Sequence, residues 1–335
     1  MSLAKMFLIG SVAVFGVIGV FGWMKKSPGA PKAEVVQEIP LAQAEKAPLK
    51  PLPPKPAPIA PQQPAAPASA TADVYPNIDR IKQLFAHDSS KLPIVETVSY
   101  TSRVPWMKDR PAWIADYASH FETSRHFIAR SLNKKLDYFS QKVSPGDRFN
   151  VFKKDKNLQF HMAIDLSHCR LWFYYVDLDS NERVLLKTYR VGIGRLDPSK
   201  TSGSLTPLGK YSLGEKVAIY KPGTMGFFQD DKVEMIRVFG TRWIPFEKEL
   251  DGCTEAAKGL GLHGAPWTVD SAGQYVEDRS KIGKCDSDGC IRLASEDMEE
   301  IFSIIITKPT TVELVKDIRD AKLPGHESVA YRSSP

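Results

Sequence analysis

Residues 158–194 read LQFHMAIDLSHCRLWFYYVDLDSNERVLLKTYRVGIG. β-Branched and aromatic residues crowd three runs here, and polar turns such as DLDSNE (177–182) divide them. Short runs of this composition between turn residues predict successive antiparallel strands. The pattern continues downstream. TPLGKYSLGE (206–215), VEMIRVFGT (233–241) and KGLGLHGA (258–265) each predict a short strand, and TTVELVK (310–316) a closing one. One helix interrupts them. Ser295 is placed to cap it, Glu296 and Asp297 suit its positive end, and MEEIFSIII (298–306) supplies the apolar stripe. The expected architecture is mostly β (α+β), a β-sandwich or barrel with one helix after Cys290.

Upstream, over residues 76–155, the period is helical. WIADYASHF (113–121) and SRHFIARSL (124–132) carry apolar residues at helical spacing. KVSPGDRFNVFK (142–153) then turns at Pro145–Gly146 into an alternating strand. Helix, helix, turn and strand resemble the later part of a LysM module, which implies binding of N-acetylglucosamine glycans. The first strand of such a module is not legible in VSYTSRVPW (98–106). The plainer expectation is a small helical module packed on the next domain.

The N-terminal quarter has a different character. FLIGSVAVFGVIGVFGWM (7–24) is an unbroken apolar run between Lys5 and Lys25–Lys26. Eighteen helical residues span about 27 Å, close to a hydrocarbon core. No small-x-small cleavage pattern follows directly, so residues 1–26 predict an uncleaved, single-pass anchor in the inner membrane. Residues 27–75 turn to Pro, Ala, Lys and Gln, as in APLKPLPPKPAPIAPQQPAAPASA (47–70). Such a segment buries no core and favours extended conformations, so a linker or stalk is expected. The net charge of +6 is dispersed along the chain, which argues against a nucleic-acid partner.

Chemistry is concentrated in CDSDGCIRLASEDMEE (285–300), which holds two of the four cysteines. A cysteine attacks as thiolate, and at a pKa of about 8.5 only a few per cent is ionised at pH 7. It therefore needs a base and a place for an oxyanion. Gly289 lets the backbone approach closely, and amides beside Cys290 can face a developing negative charge. His263, at the end of GLGLHGA, is the candidate base. The other six histidines sit in polar or linker-like surroundings or flank a strand.

The order of these segments resembles the L,D-transpeptidase (YkuD) family of cell-wall enzymes over residues 158–315. MAIDLSHCRLWFYYVD (162–177) is similar to its opening hairpin and KTYRVGIG (187–194) to its next strand. SLTPLGKYSL carries the Thr206-Pro207-x-Gly209 turn, and WIPF (243–246) precedes Leu262–His263–Gly264. SDGCIRL is similar to the signature Ser/Thr-His-Gly-Cys-aliphatic-Asn/Arg at Ser287, Gly289, Cys290, Ile291 and Arg292. The resemblance implies a catalytic domain over 156–318, followed by a tail over 319–335. It implies that Cys290 attacks a peptidoglycan tetrapeptide stem, D-alanine leaves, and an amine of a second stem resolves the thioester. His263 would move the protons, amides near Gly289 and Cys290 would hold the oxyanion, and Ser287 would orient the loop. Arg292, Gly264, Trp243 and Asp288 would face substrate, with Arg292 as carboxylate holder or brace. No metal or organic cofactor is required. The partners implied are stem peptides and glycan, on the periplasmic side of the membrane.

Two departures weigh on this. Asp288 stands where the family has histidine, and a carboxylate near the sulfur disfavours thiolate. The stretch 265–286 is longer than usual and suggests a substrate-covering loop. Alternatives are an L,D-carboxypeptidase, with water resolving the thioester, and a non-catalytic tether that grips stems. A zinc set of Cys253, His263, Cys285 and Cys290 lacks paired Cys-x-x-Cys knuckles. Cys253 and Cys285 are expected to form a disulfide that leaves Cys290 free, with Cys169 simply buried.

Overall fold

A computed structural model describes residues 78–133, 142–215 and 217–331. The expected anchor (1–26) and linker (27–75) lie outside them. Among the described residues no helix is long and apolar enough to cross a membrane.

The described chain begins with α1 (Ile81–Phe85), β1 (Val95–Ser99), α2 (Ile114–His120), α3 (Arg125–Asn133) and β2 (Arg148–Phe152). Strands β1 and β2 pair antiparallel, Val95 opposite Phe152. The region expected to run helix, helix, turn and strand has a further strand in front and is a strand–helix–helix–strand unit. Its first strand is VETVS (95–99), which overlaps the segment 98–106 only at Val98 and Ser99. Gly146, at φ +94°, makes the turn into β2.

The remainder is mostly β. Strands β3 (Leu158–Asp165), β4 (Arg170–Asp177) and β5 (Glu182–Arg190) form the antiparallel meander that the opening stretch predicts. They are followed by β6 (Ile193–Gly194), β7 (Gly209–Leu213), β8 (Ala218–Ile219), β9 (Met225–Phe228) and β10 (Asp231–Glu234). After α4 (Ile236–Phe239) come β11 (Arg242–Asp251), β12 (Gly261–Gly264), β13 (Trp267–Val269), β14 (Tyr275–Glu277), β15 (Cys285–Ser287) and β16 (Ile291–Leu293). Helix α5 (Ser295–Ile305), β17 (Thr310–Val315) and β18 (His326–Glu327) complete the order.

One curled sheet runs β16-β12-β11-β7-β17-β3-β4-β5-β18, with β8 added on β11. The closing strand inserts between β7 and β3, parallel to β3 and antiparallel to β7. Strand β4 is buried from Leu171 to Asp177 because both of its faces are covered. On one face Phe160, Met162, Leu171 and Phe173 meet Met298, Ile301 and Phe302 of α5 in a single apolar core. On the other, Ala163, Trp172 and Tyr174 lie under Ile318, Ala321 and Leu323.

Two local expectations are corrected. VEMIRVFGT does not run as one strand, because β10 ends at Glu234 and a helical turn follows. Ile236 and Phe239 are buried at i,i+3, which is helical spacing, and Gly240 at φ +62° stops the turn. Ser295 does not cap α5. It is the first helical residue, its backbone N–H donates to Glu277 Oε1 at 2.6 Å, and its hydroxyl accepts the Trp267 indole N–H at 3.2 Å. A carboxylate from β14 therefore satisfies an amide at the helix start.

The core also crosses residue 155. Leu84, Ile94, Phe127 and Phe152 share the cluster that contains Phe160 and Phe302. The Ser124 hydroxyl donates to Ser303 O at 2.5 Å, and His126 meets the Phe302 ring edge-on. At the other end, residues 326–327 pair with β5, and Arg80 donates to Tyr331 O at 2.9 Å.

Candidate active site

Cys290 sits on a tight turn between β15 and β16. Ser287, 2% exposed, ties the turn with both sides of its hydroxyl. The Oγ accepts the Gly289 N–H at 3.1 Å and donates to the Cys290 carbonyl at 2.7 Å. Gly289 is required by its backbone. At φ +119° an added Cβ would lie 2.8 Å from Leu205 O. A second hydroxyl holds the turn from outside. Thr206, fully buried, accepts the Gly194 N–H at 2.7 Å and donates to Gly289 O at 2.9 Å. Thr206 was legible as part of the Thr-Pro-x-Gly turn, but its grip on the cysteine turn was not.

Strands β12 and β16 are parallel neighbours, with Leu262 opposite Ile291 and His263 opposite Arg292. Carrying that register back one residue sets Cys290 opposite Gly261, two residues before His263 on the same face. A strand spacing of about 4.8 Å and a rise of about 3.3 Å per residue give Cα atoms about 8 Å apart. Side-chain rotations can close much of that gap. No hydrogen bond joins the imidazole to the thiol among the described residues. The Cys290 thiol instead points to Gly259 O at 3.6 Å.

His263 is 3% exposed. Its Nδ1 meets Gly264 O at 2.8 Å, which assigns a proton to Nδ1, and the Phe239 carbonyl also faces the ring. Phe239 packs edge-on against the ring at 5.4 Å, and Trp243 lies at 6.0 Å. Burial, with the Arg292 charge adding to it, lowers the imidazole to about 4 against the helping carbonyls of Gly264 and Phe239. Burial also pushes the Cys290 thiol up to about 11, and Asp288 adds to that, while the Gly261 amide and Arg292 oppose it. At neutral pH both groups are therefore uncharged.

Asp288 faces solvent and pairs with Arg195 at 2.6 Å. Its carboxylate is already engaged, which limits its effect on the sulfur. Arg292 braces the turn, donating from Nη1 to Asp286 O at 3.1 Å while its backbone exchanges two hydrogen bonds with Gly192. Its Nε is buried without a partner. Gly264 pairs with Leu293 at the end of β12. The long stretch 265–286 forms the hairpin β13–β14, with Trp267 opposite Glu277. The Tyr275 hydroxyl donates to Glu234 at 2.6 Å, joining this hairpin to β9–β10. Arg195 and Glu277 are supporting residues that sequence reasoning missed, as it missed the contacts of Thr206.

The four candidate zinc ligands do not gather. Cys253 Sγ faces Lys210 O at 3.0 Å, and Cys285 Sγ lies 3.9 Å from Cys169 Sγ. All four cysteines are unbridged. This corrects the expected Cys253–Cys285 pair, because β15 runs beside β6 and carries Cys285 to the β3–β4 turn. Among the described residues the one cluster with metal-ligand geometry is Asp165, His168 and Asp317. Asp165 there already accepts the His168 and Ile318 backbone amides.

Residues 159–314 match the family model YkuD, the L,D-transpeptidase catalytic domain. No curated protein matches the chain. Among solved structures, Bd1075 of Bdellovibrio bacteriovorus is similar at 12% identity with a TM-score of 0.33, over 51% of this chain and 50% of that one. The helical cell shape determining protein Pgp2 of Campylobacter jejuni is similar at 18% identity and a TM-score of 0.32, over 51% and 54%. The chain thus spans about half the length of each.

Proposed function

We propose that this chain is a membrane-anchored L,D-transpeptidase that forms peptidoglycan cross-links through a thioester on Cys290. One observation carries the reading. Within the segment that matches the L,D-transpeptidase domain, the turn that carries Cys290 leads directly into β16, the parallel neighbour of the strand that carries the buried imidazole of His263.

In this account thiol and imidazole start neutral. As a stem carbonyl approaches, Cys290 Sγ attacks while its proton passes to His263 Nε2. Gly264 O, on Nδ1–H, stabilises the imidazolium as it forms. The Gly289 N–H is already taken by Ser287, so the Cys290 N–H is the amide assigned here to the oxyanion. His263 then returns the proton to the departing D-alanine amine, and a second stem's amine attacks the thioester in reverse order. Arg292, Trp243, Gly264 and the β13–β14 hairpin would position the stem. The strand–helix–helix–strand order supports a LysM-like, glycan-holding role for residues 76–155.

Incubation with defined disaccharide tetrapeptides, read by mass spectrometry, tests the reaction. Transfer releases D-alanine and yields dimers, whereas hydrolysis releases D-alanine and yields tripeptide monomers. The high thiol pKa and Asp288 favour a second reading, a stem-gripping tether without chemistry. That reading requires unchanged tetrapeptides together with sedimentation of the protein with wall sacculi.

A further inference from the structure

We infer that Cys169 and Cys285 form a disulfide that staples the strand leading to Cys290 onto the β3–β4 turn. Their sulfurs lie 3.9 Å apart. The backbones on both sides are fixed independently of the sulfurs. The Val191 N–H donates to Cys169 O at 2.9 Å, and the Ile193 N–H donates to Lys284 O at 3.0 Å. Both cysteines thus flank one short stretch, 191–193, and Cys285 stands opposite Ile193 in the β6–β15 pair. The remaining cysteines face elsewhere, Cys253 towards Lys210 O and Cys290 towards Gly259 O. Only one pairing is therefore within reach of small side-chain rotations.

Formation needs an oxidant of the disulfide class, such as glutathione disulfide. Cys285, partly exposed, attacks one sulfur of the oxidant and expels a thiol. Cys169 then attacks the mixed disulfide and expels the second. The chain loses two protons and two electrons, and the oxidant becomes two thiols. Cys169 is buried whereas Cys285 is partly exposed, so Cys285 is the sulfur the oxidant reaches first. The bridge closes a long loop, 116 residues apart in sequence, which constrains the unfolded chain strongly. It also reserves Cys290 as a thiol.

The full chain, equilibrated with glutathione disulfide, is unfolded and alkylated without reductant, then mapped by mass spectrometry. The expected map shows Cys253 and Cys290 alkylated and the Cys169 and Cys285 peptides linked. Four alkylated cysteines, or any other linked pair, would overturn the inference. In addition, the thermal midpoint should fall on reduction, and this difference should vanish in Cys169→Ser and Cys285→Ser but persist in Cys253→Ser. A reduction-sensitive midpoint in Cys169→Ser would contradict the assignment. Neither readout depends on Cys290 chemistry.

Discussion

At Cys290 the decisive quantity is the charge of one sulfur. With the thiol at about 11 and His263 at about 4, the neutral pair is the resting state. Alkylation of Cys290 by iodoacetamide, followed on its own peptide, should therefore rise close to tenfold per pH unit from 7 to 10. A plateau below pH 8 would reveal a preformed thiolate instead. Asp288→Asn should speed alkylation modestly, since it removes a charge that raises the thiol. His263 makes a stability prediction as well. Its folded pKa lies below its unfolded value of about 6.5, so the unfolded chain binds the extra proton as pH falls. Its contribution is intact above about pH 6.5 and is lost towards pH 4, amounting to about 3 kcal/mol. Urea titrations at pH 7 and pH 4.5 should show this acid loss, and His263→Gln should shrink it. An unchanged acid loss in His263→Gln would place the effect elsewhere.

Among the elements, the β15–β16 turn depends on two hydroxyls. Thr206→Val leaves the Gly194 N–H and Gly289 O buried and unpaired, at about 1–3 kcal/mol for each lost partner. Thr206→Ser should retain most of the stability. Equal denaturation midpoints for Val and Ser would show that the clamp does not matter. At this scale the strands of the meander were legible because β-branched and aromatic runs alternate with polar turns. Cys290, His263 and Ser287 were legible as candidates because they stand in an ordered motif series. The Thr206 clamp and the Glu277 cap were not, because each reaches across strands distant in sequence. The 236–239 turn was missed for a different reason: four residues, three of them apolar, fit a strand as readily as one helical turn. The Cys253–Cys285 expectation failed because flanking a site in sequence does not determine which strand runs beside which.

For the whole molecule, the apolar core runs from α1 and α3 through the meander to α5. Residues 78–331 should therefore unfold in one calorimetric transition, and two separated transitions would contradict a shared core. Phe127→Ala removes a fully buried ring at this junction and should cost about 3–5 kcal/mol, read as a lower midpoint of the whole transition. A loss confined to the N-terminal unit would show that the two parts are only loosely joined. The composition of the first 75 residues revealed a separate N-terminal character; helical periodicity in the next 80 predicted a module packed on the β domain, but not that the two would share one continuous core.

The acyl-enzyme reports on the central claim most directly. Intact-protein mass spectrometry during turnover of a disaccharide tetrapeptide should find the chain heavier by the stem minus D-alanine. Peptide mapping should put that mass on Cys290, and both Cys290→Ala and His263→Ala should abolish it. An adduct that persists in Cys290→Ala, or no adduct while D-alanine is released at full rate in that variant, would contradict the account.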